Sequence, residues 1–443
     1  MRRLALFPFL LLVGSCTIPI SPRRPAEPVG LRLTAIDVSP SHACGVTRDG
    51  EAYCWGEASN GQLGNGSTEY VSGVVRVVGG HRFAAISTAF TRSCALTTAG
   101  EAYCWGTNPT SVPTRGLKAL EESSRATPVR VAEELDLVQI GVGQWHACGL
   151  TKNGDAYCWG RSDLTSLGDA ADSSAGAATK VAGGNTFAVL SVGDDHSCAL
   201  TIAGEAYCWG SGRDGSLGDG RRDSSPIPVK VAAELRFRSI SAGERHTCAI
   251  TVDGIGYCWG WNADSQLGVK TTEHCGYYPC STTPLRVTDR FRFTTISAGK
   301  ERTCALTTTG GLVCWGDTRP GPQRITDTTN AAAPTMVLKG HTFSTISVSS
   351  SKACGLAREG EAYCWNTLAG LPVEPYRMPM PRFVTYAIIG AFLGGLLGYV
   401  SYRTVPDRYG VGAILSGAGV GAFVGFFIGA AIGFKTFMDS LPW

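Results

Sequence analysis

Seven times along this chain a cysteine is followed ten residues later by a second cysteine, and then at once by tryptophan. The spacing pairs Cys44 with Cys54, Cys94 with Cys104, Cys148 with Cys158, Cys198 with Cys208, Cys248 with Cys258, Cys304 with Cys314, and Cys354 with Cys364. Their first members stand 50, 54, 50, 50, 56 and 50 residues apart. A period near fifty residues marks repeated supersecondary units rather than independently folded domains.

The loop of each unit sets its register. Glycine falls six residues after the first cysteine in every copy: Gly50, Gly100, Gly154, Gly204, Gly254, Gly310 and Gly360. A three-residue hairpin loop on a type I turn needs its last residue left-handed, where glycine costs least. With 252–254 as that loop, Thr251 opposes Ile255, and three further steps along each strand oppose Cys248 and Cys258. Opposed residues on antiparallel strands lie about 4.5–5.5 Å apart at Cα, close enough for a disulfide. The spacing therefore predicts seven cross-strand bridges.

An aliphatic residue eight positions before each first cysteine (Ile36, Ile86, Ile140, Leu190, Ile240, Ile296, Ile346) marks a preceding strand. Pro-x-x-Val stretches at 128–131, 228–231 and 284–287 mark a fourth. Four short strands per unit, seven times over without helical periodicity, predict an all-β seven-bladed propeller, which leaves only short, protected edges.

The repeat His246-Thr-Cys-Ala-Ile-Thr-x-x-Gly254…Tyr257-Cys-Trp-Gly260, with Gln266-Leu-Gly268 after it, resembles that of RCC1-type propellers. The first unit, His42 to Gly56 and then Gly61-Gln-Leu-Gly64, is equally similar. The resemblance spans 29–376 and implies a seven-bladed propeller. It says less about activity, since relatives include a nuclear exchange factor and a secreted β-lactamase inhibitor. Units three and four soften Gln-Leu-Gly to Ser-Leu-Gly; units two, six and seven lack it.

Of 17 cysteines, 14 form these pairs, Cys275 and Cys280 form a local pair in an insertion, and Cys16 is left over. An even set at fixed spacing reads as a disulfide framework in an oxidising compartment. Residues 1–15 read as a secretory signal: Met1-Arg2-Arg3, an apolar run from Leu4 to Val13, then Gly14-Ser15. Val13-Gly14-Ser15-Cys16 resembles a bacterial lipobox, which implies lipidation of Cys16 and contact with membrane lipid. Residues 16–28, with four prolines, form a stiff linker.

Residues 383–402 and 409–434 carry no charge, and each is long enough to cross about 30 Å of hydrocarbon as a helix. Glycines at intervals of four (Gly390, Gly394, Gly398; Gly417 through Gly433) line one face of each. The stretch 383–434 resembles the glycine-zipper two-helix domain of bacterial envelope lipoproteins. That implies a transmembrane α-helical hairpin and homo-oligomers built through it, with 435–443 as a short tail. Thr17, rather than aspartate, after Cys16 favours the outer membrane by analogy with lipoprotein sorting, with the propeller in the periplasm or at the cell surface.

Net charge is +3, and losing Arg2 and Arg3 with the signal leaves 37 basic against 36 acidic side chains. No basic stripe is present, which argues against nucleic acid. No nucleophile elbow, phosphate loop, calcium loop or zinc-spaced cluster occurs, so neither catalysis, a metal nor a cofactor is expected. His42, His146, His196 and His246 recur two positions before the first cysteine, where other units have Arg92, Arg302 and Lys352. Recurrence by unit marks a scaffold position tying strand to loop, and the recurrent tryptophans read as packing residues. Binding to a protein partner is the expected role. Its candidate residues are Trp261 and Asn262, with Tyr277 and Tyr278 in the loop between Cys275 and Cys280, since tyrosine offers contact area at low entropic cost. The 108–127 excursion and the cluster of Arg213, Asp214, Arg221, Arg222 and Asp223 are secondary candidates. Inhibitor-like capture of an envelope enzyme is the second reading.

Overall fold

Each unit folds outward from its tight loop. The Gly254 N–H donates to the Thr251 carbonyl and the Thr251 N–H to the Ile255 carbonyl, both at 2.9 Å, and Gly254 sits at φ +87°. From there the register opposes Ile250 to Gly256, Ala249 to Tyr257 and Cys248 to Cys258.

The same register brings every cysteine pair together. Cys44 is bonded to Cys54, Cys94 to Cys104, Cys148 to Cys158 and Cys198 to Cys208. Cys248 is bonded to Cys258, Cys304 to Cys314 and Cys354 to Cys364. In all seven the Cα atoms stand 4.1 Å apart. That is tighter than the spacing expected for opposed residues in general. The cysteines fall at the non-hydrogen-bonded pairing, where opposed strands come closest. Cys314 is half-buried, whereas its counterparts Cys54, Cys104, Cys158, Cys208, Cys258 and Cys364 are buried. The insertion bridge between Cys275 and Cys280 is also formed, with a wider Cα separation of 5.6 Å.

The computed structural model describes residues 31–107, 124–160, 165–169, 178–316, 333–338, 340–366, 376–377, 401–405 and 412–416. The expected signal, Cys16 and the linker, residues 108–123 of the excursion, most of 383–434 and the tail lie outside them.

Seven sheets follow one another, each from one continuous stretch and, apart from the fifth, with its strands in sequence order. The innermost strands are Leu33–Val38, Phe83–Ala89, Leu137–Val142, Phe187–Val192, Phe237–Ala242, Phe293–Ala298 and Phe343–Val348. Each is followed by a second strand, such as His246–Thr251, that is buried along its length. The third strand carries the second cysteine and the tryptophan, as in Gly256–Trp261. The Pro-x-x-Val stretches lie in or border long fourth strands, Ser124–Val131, Ser225–Lys230 and Tyr278–Arg286; other blades have only two or three residues there, as in Val75–Arg76. The fifth sheet gains an extra edge strand, His274–Cys275.

The core is seven wedges between blades. In each, the disulfide of one blade packs on the tryptophan of the next. Cys44 and Cys54 meet Trp105, Cys94 and Cys104 meet Trp159, and Cys148 and Cys158 meet Trp209. Cys198 and Cys208 meet Trp259, Cys248 and Cys258 meet Trp315, and Cys304 and Cys314 meet Trp365. Cys354 and Cys364 then meet Trp55, so among the described residues the last blade packs on the first without exchanging a strand. The Leu33 N–H donates to the Gly360 carbonyl at 2.7 Å, and Ser347 Oγ donates to Asp37 Oδ1 at 2.6 Å.

Beyond the propeller, Ser401–Val405 pairs antiparallel with Gly412–Ser416. Most of the two expected helices, 383–402 and 409–434, lies outside the described residues. Thr404, Val405 and Ile414 favour extended backbone, and Pro406 cannot continue a helix. Among the described residues, no helix is long and apolar enough to cross a membrane.

Candidate protein-binding surface

The recurrent histidines are clamps between blades. Nε2 of His42, His146, His196 and His246 lies 2.7–2.8 Å from the hydroxyl of Ser93, Ser197, Thr247 and Thr303, each on the following blade. Three of these hydroxyls donate on to a loop carbonyl: Ser93 to Gln62 at 3.0 Å, Thr247 to Ser216 at 2.9 Å and Thr303 to Gln266 at 2.8 Å. The same carbonyls receive the indole N–H of Trp105, Trp259 and Trp315 at 2.9 Å. A hydroxyl has one proton, here committed to the carbonyl, so the histidine donates through Nε2. Burial pulls His42, His146 and His246 down to about 3 and His196 to about 4, so all four are neutral. The Gln/Ser-Leu-Gly glycine completes the clamp: a Cβ on Gly218 would stand 2.6 Å from the Trp259 indole nitrogen. These residues hold the ring together and are not available as bases.

A second belt lines the central channel. The Oγ of Ser87, Ser191, Ser241, Ser297 and Ser347 accepts the backbone N–H of Val142, Ala242, Ala298, Val348 and Val38 on the next blade, at 2.9–3.1 Å. Asp37 serves the same purpose for Thr88 N at 2.6 Å, and burial raises its carboxyl pKa. Blade 3 has Gly141 instead, and Gln139 bridges to blade 4 by accepting from Leu190 N at 2.8 Å. At one mouth of the channel, burial, with the charges of Glu244 and Asp195, pushes Asp194 up to about 7. Lys300 there pairs with Glu244 at 3.4 Å. Among the described residues no group of three or more His, Cys, Asp or Glu could hold a metal ion.

The most prominent outer feature straddles blades 4 and 5. Gly276 (φ +69°) and Tyr277 form a two-residue turn between the paired Cys275 and Tyr278, closed below by the disulfide. Tyr277 at its apex is 97 % exposed. Tyr278 leans on Trp261 with ring centroids 4.7 Å apart, and the Arg245 guanidinium lies 3.8 Å from the centre of the Trp261 ring. Asp214 fixes that guanidinium through two bonds, at 2.6 and 2.8 Å. Trp261 and Asn262 are therefore support rather than open surface: both are buried, and Asn262 accepts from Leu267 N and donates to the Val269 carbonyl. The blade 4 loop adjoins the insertion. Gly220 N donates to the Thr282 carbonyl at 3.0 Å and Arg222 Nη1 to the His274 carbonyl at 3.4 Å. Exposed Arg213, Arg221 and Arg222 share a shallow concavity with Asp223.

Seven contiguous four- or five-stranded blades around a polar channel, each stapled once across its central hairpin, define a disulfide-linked β-propeller. Several of the blades match a known repeat family. The family described as the regulator of chromosome condensation (RCC1) repeat matches residues 49–86, 203–250 and 253–306, and a second form of it matches 33–62, 137–164, 187–216 and 237–266. No curated protein matches the sequence. Human WBSCR16 is similar in structure, at 18 % identity and TM-score 0.63 over 75 % of this chain and 95 % of that one. Prp20p of Saccharomyces cerevisiae follows at 22 % identity and TM-score 0.60, over 80 % and 88 %. The ectodomain of the Physcomitrella patens receptor kinase CR4 gives 20 % identity and TM-score 0.50, over 76 % and 74 %. At such identities the likeness is one of fold.

Proposed function

We propose that this chain is a membrane-anchored scaffold of the bacterial envelope whose propeller binds a protein partner through the face shared by blades 4 and 5. The observation that carries the reading is the disulfide-closed tip with Tyr277 almost fully exposed beside three exposed arginines. Tyrosine, tryptophan and arginine are the side chains that dominate binding energy at protein interfaces. Here the stack of Asp214, Arg245, Trp261 and Tyr278 limits the ordering cost on contact. An exported location is supported by the disulfides, which need an oxidising compartment, and by the leader and Cys16 of the sequence. A receptor-kinase ectodomain of similar fold offers a precedent for display outside a cell. Anchoring through lipidated Cys16 and the 383–434 segment, with self-association through its glycines, completes the reading.

The test places a photo-crosslinking amino acid at Tyr277 in the full chain within intact cells, with Ile202, 81 % exposed elsewhere on blade 4, as the control position. A protein adduct formed at 277 and absent at 202 is expected. Identical patterns at both positions would refute the face, and membrane fractionation unchanged by Cys16→Ala would refute the lipid anchor.

A further inference from the structure

At one seam, among the described residues, the donors of the clamp stand without an acceptor. Arg92 stands where blade 1 has His42: both open the second strand, paired with Gly106 and Gly56 respectively. Trp159 stands where blade 2 has Trp105, paired with Ala147 as Trp105 is with Ser93. Between blades 1 and 2, His42 and Trp105 converge through Ser93 on the Gln62 carbonyl. Between blades 2 and 3, Ala147 supplies no hydroxyl, and the residues of unit two that stand where other units have Gln/Ser-Leu-Gly lie outside the described ones.

What remains is two buried donors. Arg92 is 6 % exposed and Trp159 1 %. Among the described residues neither Arg92 Nη1 nor Trp159 Nε1 has a hydrogen-bond partner, and no carboxylate there pairs with Arg92. Trp159 packs on the bridge between Cys94 and Cys104, as Trp105 does on that between Cys44 and Cys54, so its N–H points into the same seam as Arg92. Burial lowers the guanidinium pKa only to about 10, which leaves it charged at neutral pH. Native folds seldom leave a buried guanidinium or a buried indole N–H unmet, because each then forfeits its hydration without recompense.

We propose that the seam between blades 2 and 3 is a binding site for a small oxyanion from solution, of the carboxylate or phosphate class, held by the Arg92 guanidinium and the Trp159 indole N–H. The planar fork of arginine suits two oxygens of one such group, and the indole supplies a further donor from the facing blade. The anion would take the place that the loop carbonyl fills in the clamped seams, tying blade 3 to blade 2 through charge.

The test uses the full chain in detergent with ¹⁵N-labelled tryptophan, dialysed free of oxyanions and titrated with sodium phosphate, then separately with sodium formate, at constant ionic strength. The Trp159 indole N–H signal, assigned with Trp159→Phe, should shift saturably with at least one of the two, and the melting temperature should rise with it. Arg92→Gln should abolish the saturable shift while the other indole signals stay in place. Trp159→Phe, which removes only the indole donor, should weaken the thermal response about tenfold in concentration. No saturable shift in the parent chain with either anion overturns the proposal, including the case in which an internal carboxylate already occupies the seam. So does a thermal response equal in the parent and in Trp159→Phe, a variant that keeps the test decisive if Arg92→Gln does not fold.

Discussion

At the scale of single residues, the seams obey a three-part rule. Where a unit has histidine two places before its first cysteine, it also has Gln/Ser-Leu-Gly, and the next unit has Ser93, Ser197, Thr247 or Thr303 just before its own cysteine. Where a unit has Arg92, Arg302 or Lys352, the next has Ala147, Ala353 or Ala43. The histidine's scaffold role was legible from its recurrence. Its hydroxyl partner was not, because it lies about fifty residues on and shows only when successive units are compared. The clamp also predicts a pH dependence. Burial lowers the folded-state pKa of these imidazoles far below 6.5, so the unfolded chain binds more protons between the two values. Their contribution is fully present above about pH 6.5 and is lost as pH falls toward 3 to 4. Asp194, raised to about 7, acts in the opposite sense: its contribution is present at low pH and lost as pH rises from 3.8 through 7. His246→Gln isolates one imidazole, since the amide nitrogen can still donate to Thr303. Denaturant titrations should show the variant losing about 2 kcal/mol less than the parent between about pH 7 and pH 5.

At the scale of the element, loop arithmetic was enough to give the hairpin and its bridge, because a fixed turn fixes every pairing outward from it. The insertion was harder to read. Trp261 and Asn262 looked like a recognition tip beside Tyr277 and Tyr278. The insertion instead adds a strand, pairs Trp261 with Cys280 and folds Tyr278 over the indole, leaving Tyr277 as the outer residue. Periodicity cannot report a strand that occurs once. Replacing both Cys248 and Cys258 by serine should lower stability by about 2 kcal/mol, near the lower end of the chain-entropy range, since a hairpin already holds its ends together. The matching measurement is the denaturant midpoint, and an unchanged midpoint would show the staple to be energetically idle.

At the scale of the whole molecule, blade count followed from the repeat, but closure did not, since nothing local distinguishes strand exchange from simple docking. The last seam is docked, through the contacts of Asp37 with Ser347 and of Lys352 with Ser41, the latter at 3.3 Å, and without a histidine clamp. The seams without a histidine clamp, those leading into blades 3, 7 and 1, should therefore open first. Hydrogen exchange should show Phe343–Val348 and Leu33–Val38 losing protection about tenfold faster than Phe237–Ala242 and Phe293–Ala298, which sit at clamped seams. Equal protection would place the weak point elsewhere. The C-terminal segment was read from its apolar length, its glycines at intervals of four and its resemblance to a two-helix domain, and most of it lies outside the described residues.

Bridges that never leave their own hairpin have a consequence for how the protein is made. A thiol such as Cys54 finds its proper mate ten residues back, while the next cysteine ahead, Cys94, lies forty residues on. Short loops close sooner and at lower entropic cost, so a chain emerging from its N-terminus can oxidise each module before the next has appeared. Correct sulfur pairing then needs little reshuffling, and only the final docking waits for the full length of the chain.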